Sequence, residues 1–342
     1  MTNPTITNEL TKKIKSSKIY GFFHNDLDGY GCGKVGDCFV NLAGASYLTY
    51  GKVDSAIDEY CNKTYKEYDG LIVADLNLSM EKLEKLNKLV EEGHIVMYFD
   101  HHFKSLDQFD FFKKSNIIFK YDKDYCATYI MFKYFMSNGY TTDVNTEKFG
   151  EVITLIDSWD MYKWKDPNTF EVVNENAYSL SLYFKNFGFV KTIMKIDNYI
   201  NDRFNNLFSN TEISIIDFLK RDIKRGVYDR NKNLVVMPYT FEDETMDIGV
   251  TFADKDVTEI GTMLNVLNKN LSFIVVVDMT HKSVNFRTIF NKPNLAKIAA
   301  VYGGGGHPKA AGCVLTNEAF NDFVSRTSNR GESFISLEKT EE

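Results

Sequence analysis

Aspartate and histidine recur in a fixed order along the chain: H-N-D-L-D-G at positions 24–29, A-D-L at 74–76, D-H-H at 100–102 and D-S-W-D at 157–160. Carboxylate oxygens and imidazole nitrogens are the donors that hard or borderline divalent cations take. His24, Asp26, Asp28, Asp75, His101, Asp157 and Asp160 offer enough of them for two such ions. Far downstream stands G-G-G-G-H. Gly303, Gly304, Gly305 and Gly306 let backbone N–H groups approach an anion with no Cβ in the way, and His307 can donate to a phosphate oxygen. A pair of cations together with an anion-binding backbone surface is the equipment of phosphoester hydrolysis.

Each motif also has a plainer reading. In H-x-D-x-D-G the alternating positions of a strand end point one way, so His24, Asp26 and Asp28 converge while Gly29 permits a tight turn; an isolated match is more often a solvated turn. Asp75 directly follows an apolar run, where a single aspartate is commonly a cap or turn former. D-H-H is harder to dismiss. Two imidazoles beside Asp100 offer one neutral nitrogen ligand and one group, His102, able to protonate or hydrogen-bond a phosphate oxygen. Asp157 and Asp160 share a helical face, one as ligand and the other structural. Trp159 and Trp164 read as core packing, not base stacking. Arg287, in V-N-F-R-T, is a fork for a phosphate or terminal carboxylate, although a surface ion pair is the commoner fate of an arginine. A-A-G after the glycine run is expected to support close helix packing behind a loop.

These residues need elements to position them. KIYGFFH (18–24) reads as a strand, followed by a glycine-rich turn and a helix over 35–42. LIVA (71–74) and HIVMYF (94–99) are two more short strands flanking a helix over 79–92. The first three acidic clusters thus fall at the carboxyl ends of strands, which line one crevice in an open α/β sheet. Helices are predicted over 125–135 and 149–159, the second carrying the fourth cluster, and mostly helix over 174–218 continuing through 220–230. From residue 234 the pattern turns to β-like runs (LVVMPY, DIGVTF, SFIVVVDM, SVNFRTIF) with a helix over 259–268. The expected organisation is an α/β catalytic domain over 1–195, a helical connector over 196–230 and a smaller α/β domain over 231–342, with a frayed SLEKTEE tail.

Composition narrows the partners. A formal charge of -7 disfavours a broad cationic face for long DNA or RNA and suits a short phosphate ester. Five scattered cysteines without C-x-x-C spacing suggest reduced, mostly buried thiols. No apolar stretch has signal-peptide or membrane-span length, so a cytoplasmic protein without membrane association is expected.

The ordered set resembles the DHH phosphoesterase superfamily, in the subgroup with the DHH-associated C-terminal domain, over nearly the whole chain. HNDLDG, Asp75 in VADLNL, D-H-H and the WDMYKW segment around Asp160 look like its four motifs, and NFRT and GGGGHPKAAG like the nucleotide-binding elements of its second domain. By wording the nearest branch is that of the nano-RNase-like enzymes. His24 stands two residues before Asp26, where several branches place the histidine four before. The resemblance implies one metal on Asp26 and His24, the other on Asp28, His101 and Asp160 (or Asp157), and Asp75 bridging, with Asp100 orienting an imidazole and His102 facing substrate. It implies two Mn2+ per site, with Mg2+ the weaker alternative, and a two-metal activated water. The expected activity is exonucleolytic release of nucleoside monophosphates from short oligonucleotides held by Arg287, Gly303, Gly304, Gly305, Gly306 and His307. Linear or cyclic dinucleotides and 3'-phosphoadenosine-5'-phosphate are the alternative substrates, and a catalytically silent binding scaffold is the alternative of another class. A homodimer is compatible with all of these.

Overall fold

In the computed structural model, residues 8–102, 104–166 and 171–328 are described; the SLEKTEE tail lies outside them. The chain divides into two compact units, Met1–Glu212 and Ile213–Glu342.

The first unit opens with α1 (Asn8–Ser16), β1 (Lys18–His24), α2 (Leu27–Phe39), β2 (Asn41–Leu48), α3 (Tyr50–Asn62), β3 (Gly70–Ala74) and α4 (Met80–Glu91). It continues with β4 (Ile95–Asp100), α5 (Leu106–Lys114), β5 (Ile118–Tyr121), α6 (Ala127–Ser137), α7 (Thr146–Asp160) and α8 (Glu175–Ile200). The strands form one parallel sheet in the order β2-β1-β3-β4-β5. A parallel sheet is covered on both faces, and every residue of β3 and β4 is accordingly buried. On one face Phe22, Val73 and Tyr98 pack with Ile57 of α3, Leu83 and Leu86 of α4 and Phe112 of α5. On the other, the Phe99 ring meets Tyr134 and Phe135 of α6, and Phe39 of α2 stacks on Phe135 and on Phe149 of α7. Burying one such ring stabilises the fold by roughly 1.5–3 kcal/mol.

The register levels the strand ends that matter. Phe23 pairs with Ala74, and Ala74 with Phe99, so the carboxyl ends of β1, β3 and β4 finish side by side. Strand order reverses between β1 and β3, the position at which such sheets open a crevice.

The glycine-rich segment after β1 departs from expectation. It is not a turn leading to a helix over 35–42: α2 begins at Leu27, immediately after its cap Asp26, and residues 41–48 form β2. The glycines serve close packing within a helix. A Cβ on Gly29 would lie 2.0 Å from the His24 carbonyl oxygen, and one on Gly31 2.4 Å from Thr128 Oγ1. The predicted long helix over 174–218 is α8, broken by left-handed backbone at Gly188 (φ 77°), followed after a gap by α9 (Asn210–Lys232).

The second unit holds β6 (Val235–Phe241), β7 (Glu244–Phe252), α10 (Val257–Leu267), β8 (Ile274–Asp278), β9 (Ser283–Arg287), α11 (Leu295–Val301), β10 (Gly305–His307) and β11 (Ala310–Val314). They form a mixed sheet in the order β10-β11-β9-β8-β7-β6, in which only β7 and β8 run parallel. Val275, Val277 and Phe286 face Ile298 and Ala299 of α11, while Ile274 and Val276 face Ile260 and Leu264 of α10. A-A-G lies in the strand β11, paired with β9, and from there Ala311 packs with Ile298 and Ala299 of α11.

Candidate active site

The first three motifs come together at the carboxyl edge of the parallel sheet by three local routes. His24 is the last residue of β1, Asp26 caps α2 by accepting from Gly29 N–H at 3.0 Å, and Asp28 lies in the first helical turn. The convergence expected from strand alternation is therefore achieved by a strand-to-helix junction. Asp75 follows β3 with φ at 59°, the left-handed region that aspartate visits more readily than most residues, and its N–H donates to Phe99 O at 3.1 Å. Asp100 ends β4, with His101 and His102 just beyond, and Asp160 ends α7.

The distances define three overlapping sets whose donor atoms lie within 4.8 Å of one another: His24, Asp26 and Asp75; Asp28, His101 and Asp160; and Asp75, Asp100, His101 and His102. Asp75 links the first and third. His24 Nδ1 is 2.7 Å from Asp26 Oδ2 and 3.6 Å from Asp75 Oδ2. His101 Nε2 is 3.3 Å from Asp75 Oδ1, 3.5 Å from Asp160 Oδ2 and 3.9 Å from Asp28 Oδ2. One imidazole nitrogen carries at most one proton and cannot hydrogen-bond three carboxylates. Among the described residues, Asp75 Oδ2 and Asp160 Oδ2 are moreover buried with no hydrogen-bond partner. Orphaned carboxylate oxygens facing an imidazole are what a cation site presents when its residues are considered alone.

The charges bear this out. Burial, then the charges of Asp28 and Asp26, push the Asp75 carboxyl well above the usual carboxylate range, and burial with Asp28 does the same to Asp160. Burial lowers the His24 imidazole, but the hydrogen bond to Asp26 and the neighbouring Asp26 and Asp75 carboxylates outweigh it and bring it up to about 10. Burial and the Asp28 charge also raise the nearby Cys32 and Cys126 thiols. All five cysteines are free.

Other carboxylates near the cluster accept hydrogen bonds from the protein. Asp28 accepts from Ala127 N–H at 2.9 Å and Thr128 N–H at 2.8 Å, seating its charge on the start of α6. Asp157 accepts from Cys126 N–H at 2.8 Å and Lys163 Nζ at 2.7 Å, so of the two fourth-motif aspartates only Asp160 joins the cluster. Asp100 is fully buried and accepts from the N–H groups of His101 and His102, His102 Nδ1 at 2.8 Å, Tyr98 Oη at 3.2 Å and Lys104 Nζ. Burial alone would raise Asp100, but His102 and Lys104 hold it well below the usual carboxylate range.

Sequence reasoning missed three residues here. Lys104 is a buried cation that pairs with Asp100 and donates to Asn77 Oδ1 at 2.9 Å. Tyr98 joins the same carboxylate from within β4. Tyr50, the first residue of α3, places its hydroxyl 2.9 Å from His102 Nε2 and its ring 4.6 Å from that of His24. A lysine four residues after Asp100 was a readable ion-pair signal; Tyr50 belongs to no motif. Trp159 and Trp164 stack at 4.6 Å, with Trp164 buried, in keeping with a packing role.

In the second unit, Arg287 at the end of β9 donates to Phe286 O and Ala311 O through Nη1 and to Thr258 Oγ1 through Nη2, so its guanidinium is anchored within the unit. The glycine run is not a loop throughout. Gly303 turns the chain with φ at 72°, and Gly305, Gly306 and His307 form the exposed strand β10 paired with β11. A Cβ on Gly304 would lie 2.2 Å from Gly312 O and one on Gly306 2.6 Å from Ala311 Cα, whereas one on Gly305 would meet nothing within 4 Å. Two of the four glycines thus answer to strand packing.

No family model matches the chain. Oligoribonuclease NrnB of Bacillus subtilis strain 168 is 28% identical over 311 residues, which cover 89% of this chain and 74% of that protein. Among solved structures, the DHH domain of a protein described as a member of a ribosomal-protein family aligns with a TM-score of 0.58 at 11% identity, over 92% of this chain and 86% of that one. The pGpG-specific phosphodiesterase PggH of Vibrio cholerae aligns with a TM-score of 0.51 at 13% identity, over 92% of this chain and 99% of that one. The two structural likenesses bear on the fold; the NrnB relationship spans both units. With four ordered motifs, the fold of a DHH domain and that relationship in agreement, the chain resembles the DHH phosphoesterases and, among them, the nano-RNase-like NrnB.

Proposed function

We propose that the protein is a metal-dependent phosphodiesterase that acts as an exonuclease on short oligonucleotides and releases nucleoside monophosphates. The observation that carries this reading is the pair of buried, partnerless oxygens, Asp75 Oδ2 beside His24 and Asp160 Oδ2 beside His101, together with a His101 nitrogen that faces three carboxylates. Such a set requires positive charge other than protons to act near neutral pH.

His24 and Asp26 would hold one cation, Asp28, His101 and Asp160 the other, and Asp75 would serve both. Two divalent cations, Mn2+ by the mixed oxygen and nitrogen donors and Mg2+ as the alternative, supply a lowered water pKa and stabilisation of charge on the oxygens of a phosphoryl displacement. The protein's own part is positional. Asp100, fixed by Tyr98, Lys104 and two backbone amides, orients His102 toward the substrate. Asp157 is assigned to holding the start of α6 against Lys163 instead of a metal. Arg287, Gly303, Gly304, Gly305, Gly306 and His307 are assigned to substrate binding, with Gly303 and Gly305 the positions that leave room beside the backbone.

NrnB is an oligoribonuclease and PggH a pGpG-specific phosphodiesterase, and both names favour short substrates. Calorimetric titration with Mn2+ should give two sites per chain. Product chromatography over RNA and DNA of two to five nucleotides, cyclic dinucleotides and 3'-phosphoadenosine-5'-phosphate should then show monophosphate release from the short oligonucleotides. Turnover of 3'-phosphoadenosine-5'-phosphate alone would reassign the protein as a phosphatase, and the absence of metal binding would make it a scaffold.

A further inference from the structure

Asp100 does more than orient His102; it selects the ring's tautomer. Its Oδ1 accepts the backbone N–H of His101 at 2.8 Å and of His102 at 3.2 Å, and it lies 2.8 Å from His102 Nδ1. A carboxylate has no proton to give, so the hydrogen between them sits on Nδ1, and a ring with that single N–H presents Nε2 as an acceptor. The group facing Nε2 is the Tyr50 hydroxyl, at 2.9 Å, which therefore donates. In this tautomer His102 has no proton on the side expected to meet a phosphate oxygen, whereas Tyr50 has one.

Tyr50 is also well placed to use it. Its ring lies 4.6 Å from that of His24 while its hydroxyl reaches His102, and both histidines border Asp75, at 3.6 and 3.9 Å. The side chain thus spans the two sides of the cluster, and the residue remains 49% exposed. It stands on a helix fixed to the core by the buried side chains of Val53, Ile57 and Tyr60.

We propose that Tyr50 is a substrate-contacting residue whose hydroxyl donates to a non-bridging phosphate oxygen, with His102 acting as the positioning residue that holds this hydroxyl in place before substrate arrives. The exchange breaks one hydrogen bond and forms another, from a neutral acceptor to a charged one, which is the stronger kind. The proposal rests on the phosphoesterase reading above, and it concerns which side chain contacts the phosphate.

Tyr50→Phe removes the hydroxyl and keeps the ring. It should keep the thermal midpoint and both Mn2+ affinities of the wild type, while weakening AMP binding to the Mn2+-loaded protein about tenfold or more and lowering kcat/KM on a dinucleotide about tenfold to a hundredfold. In the metal-free protein, the 15N shift of His102 Nε2 should report an unprotonated acceptor that changes in the variant. AMP affinity and kcat/KM within twofold of wild type would overturn the proposal. So would loss of Mn2+ in the variant, which would place Tyr50 behind the metal ligands, or a protonated Nε2. If the wild type releases no monophosphate from any oligonucleotide, the nuclease reading fails, and the AMP titration still decides whether Tyr50 contacts phosphate.

Discussion

The two sheets of this protein present function through different parts of the chain. In the first unit, five parallel strands bring charged side chains to one edge, so the proposed chemistry rests on side chains, those of Asp26, Asp75, Asp100 and their neighbours. In the second, a mixed sheet ends in β10, where Gly305, Gly306 and His307 leave the backbone exposed. The first arrangement costs stability, since like charges are gathered in a buried place; the second costs conformational entropy at its glycines. A side-chain site should therefore be destroyed by removing functional groups, and a backbone site by adding bulk.

The largest effect should come from Asp75→Asn. Asparagine keeps the shape and tolerates the left-handed backbone at φ 59°, so the fold should survive while hydrolysis falls by about a thousandfold or more. Retained turnover would show that Asp75 does not serve two cations. Next, Asp160→Ala should abolish one Mn2+ site by calorimetry, whereas Asp157→Ala should keep both and instead lose roughly 1–3 kcal/mol of stability in denaturant, because Cys126 N–H and Lys163 lose their acceptor. The reverse pattern would exchange the roles of the two aspartates.

Metal binding should also release protons. Asp75 and Asp160 lie above the usual carboxylate range and His24 near 10, so each binds a proton more tightly in the metal-free protein than a free side chain would. Cations displace those protons, and Mn2+ affinity should rise with pH across the neutral range toward the His24 value. Calorimetry in two buffers of different ionisation enthalpy reads the number released; a value of zero would contradict the crowded-carboxylate account. The smallest effect belongs to the second unit. Gly305→Ala should be nearly silent in stability, whereas Gly306→Ala, with φ at 139° and the Ala311 backbone in the way, should cost about 1–3 kcal/mol.

What the sequence disclosed follows the same division. The strands β1, β3 and β4 are readable because a two-sided buried sheet demands unbroken apolar runs, and the aspartates stand at their ends. β2 is not, because its NLAGASYL has alternating exposure with small residues and no apolar run. α2 reads in part as a turn because L-D-G-Y-G-C-G-K-V-G has the composition of a loop, although Gly29 and Gly31 are there to let the helix lie against His24 and Thr128. Spacing cannot separate Asp157 from Asp160, since their difference lies in what Cys126 and Lys163 offer one of them. Tyr50 is invisible for the same reason: only the fold places the first residue of α3 beside His102, which follows β4.

The backbone at Asp75 sets selection for durability against selection for activity. Glycine would adopt that conformation freely and would also remove a carboxyl buried among other carboxyls, so Asp75→Gly should melt at a higher temperature than the metal-free parent. A library screened only for heat resistance without added cations would accordingly enrich the very change that silences the protein.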